Sequence, residues 1–532
     1  MATTVTLNAP SQTPEAPPST PQLRFGTALV TLLTLFALAV HGYHPYAEDG
    51  GLYMAGVKRL LHPALYPHWS EFVTEHLRFS LFAPLVAALV RLSHLPLMTV
   101  WLLLYIASFW LILFAAWQLA TRCYTSLEAR CGAMSLLAVW LTIPIAGTSL
   151  MLMDPYFSAR SISTPCAIFA LVGVLDLLAP NRQSSRSTSL LRCVLPLSLA
   201  ALVHPLMAAY ALGCVLLLAC VLSQNQRVRV GGTASLAILA LVVANLVYRN
   251  AQPDTPAYLQ VALTRTYWFV TRWEWYEQFG LIAPCAILIA ISLRRPAFNS
   301  RTPTSSESIA LARTGAVAAS VAILVSLLFA RVSAPTYLVA RLQPLRIFQI
   351  VYILMILAVG AFLGEKLLQR KPLRWAVTFL LLAAIMVFAE RQTFPRSAHL
   401  ELPWQQPRNG WQRAFTWIAT NTSVDALFAL DAHYVTQPGE DAQTFRAMAE
   451  RSALADYSKD GGEASITPSL TAAWAIGQTA QTGLNTASDA TRISQLRPLR
   501  VDWIVLPLAA ATNFSCDYSD DTVKVCRLPR QE

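Results

Sequence analysis

The chain has 532 residues, 55% hydrophobic and only 13% charged, with 40 Lys and Arg against 29 Asp and Glu for a net charge of +11. Mean hydropathy is +0.46 and the pI about 9.3. Soluble domains carry roughly 25% charged residues, so the deficit excludes an ordinary soluble protein and points to a polytopic membrane protein. The basic residues stand between apolar runs, which marks them as topology signals and argues against a nucleic-acid partner.

Residues 1–24, rich in Pro, Ser and Thr, read as a disordered cytoplasmic tail. The run "FGTALVTLLTLFALAV" has no strong small-residue cleavage site and reads as an uncleaved first span. It leads into "HGYHPYAEDGGLYMAGVKRLLHPALYP" at His41–Pro67, where Glu48 and Asp49 stand side by side at the membrane exit. Leu52, Ala55, Val57, Leu60 and Leu61, with Lys58 and Arg59, then give a short amphipathic helix expected to lie along the membrane surface. A carboxylate fixed there suits a general base for an acceptor hydroxyl or a ligand for a divalent cation. The plainer alternative is a loop acid that solvates the surface.

Apolar runs follow at about 79–93, 97–120, 132–152, 161–179, 190–203, 205–223, 231–248, 279–293, 309–330, 346–364 and 375–389. A span needs about 20 apolar residues. The 79–93 run is short, contains Pro84 and Arg91, and reads as interfacial or re-entrant. With the N-terminus inside and 79–93 skipped, every short basic loop falls on the cytoplasmic side. These loops hold Arg122 and Arg130; Arg182, Arg186 and Arg192; Arg227 and Arg229; Arg294, Arg295 and Arg301; and Lys366, Arg370, Lys371 and Arg374. The expectation is eleven spans in a cell inner membrane, with the C-terminus outside. The 190–223 stretch must then hold two short spans around His204-Pro205.

That topology gathers several segments on the outer face. Asp154 in "MDPYFSAR" falls at a span end beside Arg160, either as half of a helix-end ion pair or as a second acid sharing a site with Asp49. Arg265, Arg272, Arg331, Arg341 and Arg346 also lie on this side, where the positive-inside rule disfavours Arg. Guanidinium groups suit phosphate oxygens because they donate paired hydrogen bonds, so a lipid phosphate is a natural ligand; snorkelling is the alternative. Trp273 in "YWFVTRWEWYEQF" belongs to an aromatic belt or a sugar-stacking cleft. His204 is a lone ionisable residue within a span pair, either functional or a turn cap.

Residues 390–532 are less apolar and read as a small extracytoplasmic α/β domain above a membrane domain at 25–389. "WQRAFTWIATNTS" has helical spacing, and "DALFALD", "VDWIVLP" and "DTVKVCRLP" read as strands. "TFRAMAERSALADYSKDGG" reads as a helix, a short strand and a turn at Gly461-Gly462. It carries Arg446, Arg451, Lys459 and Asp460, as part of a substrate site or simply a solvated face. The nine Cys form no CxxC pair, so no metal or redox motif is present. Cys516 and Cys526 are the pair free to bond in an oxidising compartment.

Taken together, "EDGGLYMAGVKRLLHPALYP" and the outer acid Asp154 resemble the GT-C superfamily of membrane glycosyltransferases. The resemblance is specific over about 25 residues and general over the architecture. It implies an α-helical polytopic fold with surface helices in the first outer loop, and a polyprenyl-phosphate sugar donor. It assigns the base or metal-ligand role to Asp49 or Glu48, and a second acidic role to Asp154. Lipid-phosphate binding falls more loosely to Arg160, Arg331, Arg341 and Arg346, and substrate contact to His204, Trp273, Arg446 and Lys459. Glu-Asp-Gly-Gly stands where many relatives have Asp-Glu, and no second Asp near Asp154 makes a DxD. Other readings of the same architecture are a flippase of lipid-linked substrates and a non-catalytic envelope assembly protein.

Overall fold

The computed structural model describes residues 20–178, 185–294, 305–437, 441 and 444–529. Most of the expected tail, and the basic positions Arg182, Arg295 and Arg301, lie outside the described residues. The first helix begins at Thr20, five residues before the first apolar run, and ends at His41.

Nine of the described helices are long and apolar enough to cross a membrane: Arg24–His41, Leu97–Cys123, Ala159–Leu178, Arg186–Val203, Val228–Asn250, Trp275–Ser292, Ser306–Phe329, Leu338–Leu368 and Pro372–Thr393. The sides of Val228–Asn250 and Pro372–Thr393 are almost wholly open, with Val243, Leu380 and Phe388 exposed. In water such surface would be penalised by about 25 cal/mol per Å². Against lipid it is at rest, so the chain is a membrane protein.

Two of the eleven expected spans come out shorter. The second half of the 190–223 stretch is the 17-residue helix Pro205–Val221, separated from Arg186–Val203 at His204. The 132–152 run is helical only over Leu127–Val139. Beyond it the chain doubles back through a bridge between Pro144 and Met151, with Leu141, Ile145, Leu150 and Leu152 buried. Irregular backbone at such depth is tolerated because protein surrounds it. The 79–93 run joins its predecessor as two helices, Glu71–Phe79 and Phe82–Ser93, bent by 97°.

The C-terminal region is a five-stranded mixed sheet. Its strands are β1 (Leu427–Ala429), β2 (Ser452–Ala453), β3 (Trp503–Pro507), β4 (Cys516–Ser519) and β5 (Val523–Arg527), in the order β2-β1-β3-β5-β4. β1 runs parallel to β2 and β3, and β5 antiparallel to β3 and β4. Successive side chains point to opposite faces. Phe428, Val505 and Val525 therefore join one apolar cluster with Phe415 of the Gly410–Asn421 helix. Leu427, Ile504, Leu506 and Cys526 line the other face. The three expected strands and the helix stand where the sequence put them. Cys516 and Cys526 face each other across β4 and β5 and are disulfide-bonded.

The sheet region is tied to the first loop by its segment 444–460. Lys58 donates to Glu450 at 2.6 Å and to the Ala447 carbonyl at 2.8 Å. Tyr66 Oη donates to the Arg446 carbonyl at 2.9 Å, and Thr444 N to the Tyr46 carbonyl at 3.1 Å. The Glu48–Leu61 helix consequently buries Gly50, Gly51, Met54 and Val57 between protein elements. Of the apolar side chains expected to face lipid, Ala55 and Val57 are buried against protein, while Leu52, Leu60 and Leu61 are half-buried.

Candidate functional site

Five separate elements converge where the first loop meets the sheet region. The Glu48–Leu61 helix brings Glu48 and Asp49 in its first turn. Glu48 adopts a left-handed backbone (φ 50°). That conformation costs a non-glycine residue roughly 1–2 kcal/mol and marks a position held by its surroundings. The two glycines that follow explain the Glu-Asp-Gly-Gly order. A Cβ at Gly50 would stand 2.8 Å from the Tyr156 ring, and one at Gly51 only 2.3 Å from Thr444 Cβ. The pair lets the Asp154 loop close in from one side and the C-terminal region from the other.

Arg160, at the start of the Ala159–Leu178 helix, bridges the two acids. Its Nη1 donates to Asp49 Oδ2 at 3.2 Å, while Nε and Nη2 donate to Asp154 Oδ2 at 3.2 and 2.9 Å. Ser158 Oγ adds a third bond to the same Asp154 oxygen, at 3.0 Å. From the C-terminal region, Lys459 pairs with Glu48 and stands 3.4 Å from Asp49 Oδ1. Arg346, before the Phe348–Phe362 helix, donates to Gln343 Oε1 at 2.6 Å and has no ion pair among the described residues. His204 caps the Pro205–Val221 helix and lies within electrostatic reach of Arg346, Arg160 and Asp49.

The charges sort by surroundings. Burial disfavours the Asp49 carboxylate, but Lys459, Arg160 and Arg346 outweigh it and hold the carboxyl well below the usual range. Asp49 nonetheless keeps 35% of its side-chain surface exposed, so protein walls it in without covering it. Asp154 is 5% exposed, and burial pushes its carboxyl up despite Arg160. Burial opposes the Lys459 charge, yet Glu48 and Asp49 raise its pKa above the ordinary lysine value. Tyr53, on the Asp49 helix, is pushed up to about 12, by burial first.

Other residues singled out in the sequence lie elsewhere. Trp273 is a buried core residue whose ring fills the space a side chain at Gly147 would need, so it offers no stacking face. Arg341 donates to Tyr258 Oη at 3.1 Å, lies over that ring and stands 3.9 Å from Asp254. Arg331 is exposed and makes no ion pair among the described residues. Arg446 is buried and binds both Asp460 oxygens, at 2.7 and 2.9 Å. It anchors the helix Lys459–Ile466 that carries Lys459, and does not itself face the site. The expected turn at Gly461-Gly462 lies inside this helix. The sequence reading did not single out Tyr53 or Glu463. Glu463 follows Lys459 by four residues, a spacing that signals a shared helix face once the segment is known to be helical.

Among the described residues no group of three or more His, Cys, Asp or Glu side chains is arranged to hold a metal ion. No family model and no curated protein matches the sequence.

Proposed function

We propose that the chain is a GT-C-like glycosyltransferase that moves a sugar from a polyprenyl-phosphate donor to an envelope acceptor on the outer face of the membrane. The observation that carries this reading is the convergence on one partly open acid, Asp49, of three cations from three separate elements. An anionic lipid headgroup is the ligand such a site would draw from a membrane.

In the resting site the cations hold Asp49 ionised, which makes it a weak base. Donor phosphate oxygens would compete for Arg160, Arg346 and Lys459, and the Asp49 pKa would rise as its counter-ions are shared. The acceptor hydroxyl oxygen then attacks the anomeric carbon from the side opposite the phosphate. The bond from that carbon to the phosphate oxygen breaks, its electron pair leaves on the phosphate, and the hydroxyl proton passes to Asp49. The cations offset the charge gathering on the leaving group. Asp154, buried behind Arg160, is a positioning residue that orients the guanidinium. Transport is less favoured because Asp176, the one acid of the Ala159–Leu178 span, stands near the end of that helix and is held by Arg122 at 2.5 Å and Arg192 at 3.0 Å.

The test is complementation of a deletion strain, with envelope glycans and glycolipids profiled by mass spectrometry at matched membrane abundance. A sugar restored by wild type and lost with Asp49→Asn supports the reading. Full rescue by Asp49→Asn removes Asp49 as base and favours transport or assembly.

A further inference from the structure

Arg265 takes no part in the mechanism above, yet it grips the segment that delivers Lys459. It follows the Pro256–Leu263 helix by two residues and is buried. Its Nη1 donates to the Ser458 carbonyl at 2.7 Å and its Nη2 to the Tyr457 carbonyl at 2.9 Å. These are the two residues directly before Lys459. Nε donates to Thr264 Oγ1 at 2.9 Å, and the guanidinium lies 5.4 Å from the centre of the Tyr457 ring. A Cβ at Gly461 would stand 3.0 Å from Nη2, so the first glycine of "KDGG" leaves room for the fork. The same loop holds the far end of the Lys459–Ile466 helix. Tyr258 Oη donates to the Ser465 carbonyl at 2.7 Å and accepts from Arg341 Nε at 3.1 Å.

Charge does not explain an arginine at this place. A cation at a helix N-terminus opposes the helix dipole, and Arg265 makes no ion pair among the described residues. What the fork supplies is geometry. Paired donors on a rigid plane fix two consecutive carbonyls, which a single flexible ammonium could not do. From the backbone so fixed, Lys459 extends to pair with Glu48 and to stand 3.4 Å from Asp49 Oδ1. Deepening the glycosyltransferase reading, on which its functional consequence rests, we propose that Arg265 is a positioning residue for the phosphate site. Its fork on the Tyr457 and Ser458 carbonyls aims Lys459 at Asp49, where the lysine meets the donor phosphate. Arg265 itself touches no substrate and acts through Lys459.

The test reads Lys459 directly. The full chain in phosphatidylcholine nanodiscs is labelled with trace acetic anhydride between pH 8 and 11, and acetylation of each lysine is followed by peptide mass spectrometry. Against burial, Glu48 and Asp49 hold the wild-type ammonium charged above the ordinary lysine value, with Asp456 as a further acid near it. In Arg265→Gln the ammonium should leave these acids. Its titration midpoint should then fall toward about 10.4, and its labelling at pH 9 should rise several-fold. Removing a cation without moving Lys459 would shift the midpoint upward, so a fall reports displacement and not lost charge. Arg265→Lys keeps the charge without the fork and should fall as well. Lys58, paired with Glu450 at 2.6 Å, is the reference for intact docking and should keep its midpoint. A Lys459 midpoint that stays or rises, or a Lys58 midpoint that moves with it, overturns the proposal. Binding of decaprenyl phosphate to the same nanodiscs supplies the functional arm. Lys459→Gln should weaken it roughly tenfold or more, the order of one hydrogen bond to a charged group. Arg265→Gln should weaken it comparably, and the double variant should bind no more weakly than Lys459→Gln alone. Additive losses overturn the proposal. Absence of wild-type binding overturns the glycosyltransferase reading, while the acetylation profile still decides whether Arg265 aims Lys459.

Discussion

Removing the Arg446 guanidinium should release the helix that delivers Lys459. Arg446 holds both oxygens of Asp460, whose side chain is wholly buried, and also donates to the Ala453 carbonyl at 2.9 Å. In Arg446→Met the Asp460 carboxylate keeps the Asp456 amide as donor, at 2.8 Å, but loses its counter-ion. Stranding one member of a buried ion pair costs about 3–5 kcal/mol. Because Arg446 and Asp460 lie within one small region, the cost should appear as local opening of 445–466 and not as global unfolding. Hydrogen exchange read by mass spectrometry on the full chain in nanodiscs reports that opening. Since each tenfold is about 1.36 kcal/mol, exchange over 445–466 should accelerate more than roughly a hundredfold. Arg446→Met combined with Asp460→Leu should recover most of the loss, because no unpaired charge then remains. An acceleration of less than about threefold in the single variant, or a double variant as loose as the sum of its parts, would refute the argument.

Three further outcomes are expected. Gly51→Ala forces a Cβ to 2.3 Å from Thr444 Cβ, an overpacking that costs typically 1–3 kcal/mol. Zero-length carbodiimide cross-linking of Lys58 to Glu450, now 2.6 Å apart, should fall sharply, and Thr444→Gly should partly restore it. Cys516→Ser should release a loop of 10 residues' separation and destabilise the sheet by roughly 3 kcal/mol on the chain-entropy account. Thiol counting on the protein purified from membranes should find seven free cysteines, and nine only after reduction. Burial, then Asp460, raises the Asp456 carboxyl from 3.8 to about 7. A folded-state pKa above the unfolded value means stability present at low pH is lost between about 4 and 7. Exchange over 456–466, corrected for intrinsic rate, should therefore quicken from pH 5 to 7. Asp456→Asn should abolish the slope, and an unchanged slope would assign it to another group.

The sequence by itself determined the membrane character, most of the long helices and the strands of the C-terminal region. These follow from hydrophobic periodicity and length, which are local properties of the chain. It also marked Glu48, Asp49, Asp154, Arg160, Arg346 and His204, because ionisable residues at the ends of apolar runs are rare enough to stand out, and Lys459 within the charged segment 444–462. Only the tertiary structure decided which of them meet. Arg341 and Arg346 flank the same "LQPL", yet one is held by Asp254 and Tyr258 while the other is left without an ion pair near Asp49. Trp273 went to the core, since an aromatic in a belt pattern looks the same whether it faces lipid, sugar or Gly147. The tertiary structure also turned the 132–152 run back at Val139, because buried surroundings satisfied a backbone that apolarity alone would have kept helical. Glu463 was invisible for a similar reason. "KDGG" reads as a turn until packing against the Asp49 helix and the Arg446–Asp460 pair make it the first turn of a helix, and only then do Lys459 and Glu463 share a face.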